Sequence, residues 1–274
     1  MEDADRIMDL GIEGKLAVVT GGSRNVGRAA AEALARDGCR VVIVSRGSKD
    51  AREVVDALVA EGHEASAIQG DVSRHDGIAP LFERIRTEHG NPDILVYNNG
   101  GPPDSNVGAA TIDDYLVGYD MTVIGFIRAV EEVVGHMKHQ GWGRIVTLGS
   151  MCAKHPHKEV PMIVHNIVRP AALGASRTLA NELARFGITI NTIGTGRIDG
   201  GEDGSFRRTY RAIAAERGQD GDELIAQLLK SLPGGRGGKP EEVGALCAFL
   251  CSHLAGFISG QLIMCDGGQN NTLF

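Results

Sequence analysis

Two hydrophobic rhythms alternate along this chain. Short unbroken apolar runs read as strands buried on both faces, and longer stretches with apolar positions three and four apart read as amphipathic helices. The runs fall at 16–20, 40–45, 64–68, 93–97, 143–148 (closing at Ser150), 189–193 and 261–264. Helical spacing follows the first run through Ala29, Ala30, Ala33, Leu34 and Ala35, and returns at 51–61, twice within 112–139, and at about 171–186. Strand and helix in alternation predict an α/β fold. It is a single doubly wound parallel sheet, a Rossmann fold, of about seven strands with helices on both faces. Residues 194–238 break the rhythm: this Gly-rich, charged stretch holds two weak helical segments, 206–216 and 222–229, and predicts a lid over the strand ends at about 197–230.

At 274 residues the chain suits one large domain, 14–274, behind an N-terminal extension of residues 1–13. No repeat or low-complexity tract interrupts it. A net charge of -7 without a lysine-rich run argues against nucleic acid or an anionic membrane as partner. Arg207 and Arg208, the nearest thing to a basic patch, read as a solvated helix face. Five cysteines (Cys39, Cys152, Cys247, Cys251, Cys265) make an odd, irregular set, which predicts reduced thiols, a cytoplasmic setting and no metal. Residues 1–13 lack the basic start and apolar run of a signal peptide, and no run approaches the ~20 apolar residues of a membrane helix. Aromatic content of 4% disfavours a stacking pocket for a flat ligand.

Chemistry enters at the first turn. Gly21-Gly22-Ser23-Arg24-Asn25-Val26-Gly27 lies between a buried strand and a helix, where glycines admit close backbone approach and free N–H groups favour an anion. With a second strand at βαβ distance, this is what a nucleotide pyrophosphate requires.

Ordered motifs extend the pattern over most of the chain. Thr20-Gly-Gly-Ser-Arg-Asn-Val-Gly27, Asp71-Val72, Asn98-Asn99-Gly100-Gly101, Gly237-Gly-Lys-Pro-Glu-Glu-Val243 with Phe249-Leu250, Ile258-Ser-Gly260 and Asp266-Gly-Gly268 together resemble the short-chain dehydrogenase/reductase family, over roughly 15–268. Asn25 departs from a family glycine, mildly, since Asn tolerates left-handed backbone. The resemblance implies a cofactor set of Gly21, Ser23, Arg24, Asn25, Val26, Gly27, Ser45, Arg46, Asp71, Val72, Asn99, Gly100, Gly101, Arg169, Gly196 and Ile198. Arg24 and Arg46 stand where members that prefer the phosphorylated cofactor place basic side chains, and Ser45 replaces the acidic residue of NAD users. NADP(H) is therefore favoured over NAD(H).

The family's catalytic group is a Ser, a Tyr and a Lys, with an upstream Asn. Ser150 matches the serine. Counting back from Gly174-Ala-Ser-Arg177-Thr-Leu-Ala-Asn-Glu-Leu183, the Tyr position falls on His165 and the Lys position on Arg169. The Asn position falls on Thr122, Thr195-Gly196 replaces a Pro-Gly, and Gly200 stands where a threonine often touches the nicotinamide. No tyrosine of the chain has a lysine four residues later.

Were 165 and 169 on one helix, they would share a face, and like charges about 6 Å apart at a dielectric near 20 repel by roughly 3 kcal/mol. His165 would then be neutral, better suited to taking a proton than giving one. Pro170 offers the alternative: a helix that begins near 170, with His165 on the preceding loop. Lys154, His155, His157, Lys158 and Tyr210 are other candidate acids, each read as solvated surface, and Cys152 as inert.

The resemblance implies an NADP(H)-dependent oxidoreductase moving hydride between nicotinamide and a carbonyl or alcohol of a small molecule, with Ser150, His165, Arg169 and Thr122 as its atypical site. Two alternatives stay open: a non-redox lyase, dehydratase or isomerase in which His165 abstracts a proton, and a catalytically silent member that binds nucleotide or partners. The family also implies a homo-oligomer, tetramer or dimer, through 112–139, 171–186 and the C-terminal segment.

Overall fold

A computed structural model describes residues 9–102, 104–156, 160–202 and 204–273. Seven parallel strands form one sheet: β1 (Leu16–Thr20), β2 (Arg40–Ser45), β3 (Ala65–Gln69), β4 (Ile94–Tyr97), β5 (Gly143–Ser150), β6 (Ile188–Thr195) and β7 (Leu262–Cys265). Their order is β3-β2-β1-β4-β5-β6-β7. Because successive side chains of a strand point to opposite faces, β1 and β2 feed two cores at once. Ala17, Val19, Val41 and Ile43 pack on one side, where α1 (Asn25–Arg36), α2 (Ser48–Ala60) and α9 (Pro240–Cys251) lie. Leu16, Val18, Val42 and Val44 pack on the other, against α3 (Ile78–His89), α5 (Gly125–Gln140) and α6 (Ile163–Leu183). Ile12, within the stretch read as an extension, belongs to the first of these cores; residues 1–8 of that stretch lie outside the described residues.

The connections run outward in both directions from between β1 and β4, which makes their C-terminal ends the point where a crevice opens. Thr20 locks it: its Oγ1 donates to the Asn98 carbonyl (3.0 Å) and accepts from the Asn98 N–H (2.8 Å).

Two expectations need correction. α6 does not begin near 170; it starts at Ile163 and carries Pro170 inside it. An internal proline costs about 3 kcal/mol, yet Val164 and Val168 are fully buried against Val123, and the proline ring is exposed. Burial of that face outweighs the missing bond. Between α4 (Ile112–Tyr119) and α5 the helix is a π-helical turn, Asp120–Ile124, a geometry that recurs at functional sites.

The second correction concerns Tyr210 and Arg207, on the first of the two helices expected within 197–230. α7 (Ser205–Glu216) and α8 (Gly221–Ser231) are well-formed helices with a small core of their own, in which Phe206, Tyr210, Ile213 and Ile225 meet Val160. Tyr210 is not solvated surface; it is buried and its hydroxyl accepts from Arg197 Nε at 3.1 Å. Nor is Arg207 free on a helix face, since Nε and Nη2 each lie 2.7 Å from the carboxylate of Asp199. Arg208 alone is exposed.

Candidate functional site

At the mouth of the crevice, Gly21 has a left-handed φ of 59°, and a Cβ there would come 2.7 Å from the Asn98 carbonyl oxygen. A Cβ on Gly27 would collide with the Gly21 carbonyl. Only glycine fits either place. Asn25 takes φ 49°. α1 opens without a side-chain cap and without an acidic residue in its first turn, so its N–H groups and dipole remain available to an anion. Asn25 Oδ1 is buried with no hydrogen-bond partner among the described residues. A glycine cradle and an uncapped helix start fit a dinucleotide pyrophosphate. Val26 and Ser23 are half-buried beside it.

The remaining cofactor-set residues line the same edge of the sheet. Arg24 extends into solvent and pairs with Asp50 of α2. Arg46 is exposed and has no carboxylate partner among the described residues. Ser45 Oγ donates to the Gly47 carbonyl at 2.5 Å. Asp71 accepts from the Ser73 N–H (2.8 Å) and is exposed, whereas Val72 is buried in the core. Asn99 is pinned by Nδ2 to the Met121 carbonyl (2.6 Å) and by Oδ1 to the Gly101 N–H (3.1 Å). Gly100 and Gly101 both take left-handed φ. Gly196 donates to the Cys265 carbonyl (3.0 Å), and Ile198 is buried and bridged to Gly238.

Beyond Asn99 lies the altered group. Ser150 ends β5 opposite Thr195, and its Oγ accepts from the Cys152 N–H at 3.3 Å. The Met151–Ala153 turn that follows packs on α6. His165 and Arg169, one turn apart on that helix, meet: Arg169 Nε donates to His165 Nδ1 at 3.3 Å. The pair is pressed on the β4 strand end, since a Cβ at Gly101 would lie 2.8 Å from His165 Cε1 and 2.7 Å from an Arg169 terminal nitrogen. His165 is buried, and its pKa is pushed down to about 4, chiefly by burial and then by the Arg169 charge, against a hydrogen bond to the Pro102 carbonyl. Repulsion alone is thus the smaller cause. Burial also lowers the Arg169 pKa, though a guanidinium retains its proton.

Asp104, absent from the sequence-derived set, completes the cluster. Its Oδ1 lies 3.5 Å from His165 Nε2 and its Oδ2 accepts from Thr209 Oγ1 of α7 at 3.3 Å. Burial raises its carboxyl pKa, with the Thr209 bond and the Arg169 charge working the other way. Its position three residues past Gly101, in the loop after β4, is the signal that was available in the sequence. Thr122 lies buried in the π-helical turn, its Oγ1 without a partner among the described residues. Lys154 and His155 are half-buried rather than solvated and Cys152 is buried, while His157 and Lys158 lie outside the described residues. Among the described residues no His, Cys, Asp and Glu cluster suits a metal.

Comparison with known proteins agrees with this architecture. A family model described as enoyl-(acyl carrier protein) reductase matches residues 21–270. An uncharacterized oxidoreductase of Methylorubrum extorquens is 33% identical over 261 residues, covering 94% of this chain and 98% of its own. The 3-oxoacyl-[acyl-carrier-protein] reductase FabG of Salmonella typhimurium is 30% identical over 260 residues, covering 95% and 99%. The crystal structure of L-sorbose reductase from Gluconobacter frateurii, complexed with NADPH and L-sorbose, superposes with a TM-score of 0.89 at 29% identity, covering 97% of this chain and 100% of that one. A switch-point glycine cradle, the sheet order and near full-length similarity to named reductases therefore agree: this chain belongs to the short-chain dehydrogenase/reductase family and is an oxidoreductase of that type.

Proposed function

We propose that the chain is an NADP(H)-dependent oxidoreductase acting on the carbonyl or alcohol group of a small molecule, with Ser150, His165, Arg169 and Thr122 in place of the family's usual proton machinery. The observation that carries this reading is the His165–Arg169 pair seated against Gly101, at the strand end where the cofactor set converges. The turn 21–27 and the start of α1 would hold the pyrophosphate, Asp71 and Val72 the adenine side, and Arg24 and Arg46 the ribose phosphate. Bound there, the nicotinamide supplies hydride acceptance or donation.

Ser150 Oγ orients the substrate oxygen. Neutral His165 takes the alcohol proton in oxidation; in reduction the ring must first gain a proton from solvent before it can give one, which favours the oxidative direction. The Arg169 fork, bound through Nε to His165, leaves its terminal nitrogens for ribose hydroxyls or a substrate oxygen. Thr122, whose buried hydroxyl has no partner among the described residues, passes the proton onward. α7 and α8 act as the lid. A structural relative complexed with a ketose and a relative named as a reductase of 3-oxoacyl-carrier substrates support a carbonyl or alcohol as the reacting group.

Exposed Ile112, Leu116 and Val117 of α4, with Ile167 of α6, form an apolar surface suited to a second copy of the chain, so we place the enzyme as a homo-oligomer, tetramer or dimer. Its thiols, free at all five positions, accord with a cytoplasmic setting, and no helix among the described residues is long and apolar enough to cross a membrane. Leu116→Glu is expected to lower the mass seen by light scattering.

Titration of nucleotide fluorescence, then a panel of ketoses, polyols and small ketones followed at the nicotinamide absorbance, tests the reading. NADPH binding tighter than NADH binding with turnover of at least one carbonyl or alcohol is expected; tight binding with a wholly inert panel overturns it. One observation favours a second reading, a lyase or isomerase: an imidazole held neutral beside a guanidinium suits proton abstraction with anion stabilisation. Turnover without net nicotinamide change would select it.

A further inference from the structure

We propose, resting on the oxidoreductase reading above, that Asp104 is a positioning residue for the histidine that handles the proton. One carboxylate oxygen faces the His165 Nε2–H, so that Nδ1 carries the lone pair, and the other oxygen ties this arrangement to α7 through Thr209. Nothing in the family motifs assigns residue 104 a role. Its placement is built into the backbone. The Ser105 N–H donates to the Pro161 carbonyl (2.7 Å) and the Ile163 N–H donates to the Ser105 carbonyl (3.1 Å), which stitches the segment after β4 to the start of α6. Asp104 is held one residue before that stitch and His165 two residues after it.

The two ring nitrogens then have different tasks. Arg169 Nε points its N–H at Nδ1, which fixes Nδ1 as the acceptor and leaves the proton on Nε2. At 3.3 Å that N–H···N contact is long, and a substrate hydroxyl can displace it. When the substrate O–H bond breaks and an Nδ1–H bond forms, the imidazole becomes a cation. Arg169, its neighbour on the helix, opposes that charge; the Pro102 carbonyl and Asp104, both from the segment after β4, favour it. Among the described residues the other titratable group at the cluster is Cys152, which interacts with Arg169. Without the carboxylate, proton uptake would set two cations side by side in a buried place. An acid that orients an imidazole and steadies its protonated form is the division of labour found in hydrolase triads. Thr209 adds a condition: Asp104 is fully held only with α7 docked, so lid position and readiness of the base go together.

The test uses purified full-length protein with histidine rings labelled for nitrogen NMR, alongside pH-dependent kinetics, for the parent, Asp104→Asn, Asp104→Ala and Thr209→Val. In the parent the Nε2–H proton is expected to be slow to exchange; in Asp104→Ala that resonance is lost or moves upfield. Asp104→Asn keeps an acceptor but no charge, so kcat should fall about tenfold or more while nucleotide affinity stays within twofold. The limb of kcat/KM that reports His165 should also move to lower pH, because the imidazolium loses its counter-charge. Thr209→Val should weaken the same resonance and raise KM more than it lowers kcat. An Nε2–H resonance unchanged in Asp104→Ala overturns the pairing, whatever the activity. A changed resonance with kcat and pH profile intact overturns the role in the reaction. Failure of the parent to turn over any carbonyl or alcohol defeats the oxidoreductase reading and, with it, the role in the reaction; the resonance still decides the pairing.

Discussion

Gly200 and Asn25 face each other across the cofactor crevice, and a Cβ on Gly200 would lie 2.6 Å from Asn25 Oδ1. Each departs from the family's habit, a glycine where a threonine is common and an asparagine where a glycine is. The contact explains why they depart together: the larger side chain in the turn occupies the space that a side chain at 200 would need. Their compensation is measurable. Gly200→Thr alone should weaken NADPH binding and lower Tm, and pairing it with Asn25→Gly should recover most of the loss. A double-mutant cycle on nucleotide affinity should give a coupling of about 1–2 kcal/mol. Additive effects would mean the two positions are independent.

Arg24 is already engaged, with Asp50 as its partner. An exposed pair of this kind is worth about 0.2–1 kcal/mol, so it competes with a bound phosphate only weakly. Asp50→Asn should tighten NADPH about two- to threefold by releasing the guanidinium, and leave NADH unchanged. Arg24→Ala should weaken NADPH selectively. Equal effects on both nucleotides would remove Arg24 from phosphate recognition.

Thr122 separates stability from catalysis. Its hydroxyl is buried and unpaired among the described residues, so the fold gains nothing from it. Replacing an unsatisfied buried polar atom with an apolar one of the same shape is neutral or stabilising, by up to about 1 kcal/mol. Thr122→Val should therefore hold or raise Tm while lowering kcat, if the hydroxyl carries a proton. A kcat equal to the parent's would make Thr122 a passive element of the π-helical turn.

The sheet and the cradle were legible in the sequence because both are written locally. An apolar run such as Val41–Val44 can only be buried, and the glycines at 21 and 27 answer steric demands made within a few residues of them. What escaped depends on contacts distant in the chain. Pro170 read as a helix boundary because the packing of Val164 and Val168 against Val123, more than forty residues away, is invisible to local propensity. Tyr210 read as surface because its burial depends on Val160 and Arg197, brought to it only by the fold. Asp104 was passed over for the same reason: its meaning comes from a ring sixty-one residues later in the chain.

His165 also predicts how stability responds to acid. Its folded pKa, about 4, lies below the ~6.5 of an unfolded chain, so between these values the unfolded state binds more protons. The sign follows: its contribution is fully present above about pH 6.5 and is lost as pH falls toward 4, for a total on the order of 3 kcal/mol. Urea unfolding at pH 7 and pH 4.5 should show the parent losing a large part of that amount, and His165→Gln, which has no proton to gain, losing less. The difference between the two slopes isolates the histidine from the carboxylates that also titrate there. Equal losses in both proteins would mean that the ring is solvated in solution, and the neutral base on which the mechanism depends would lose its physical ground.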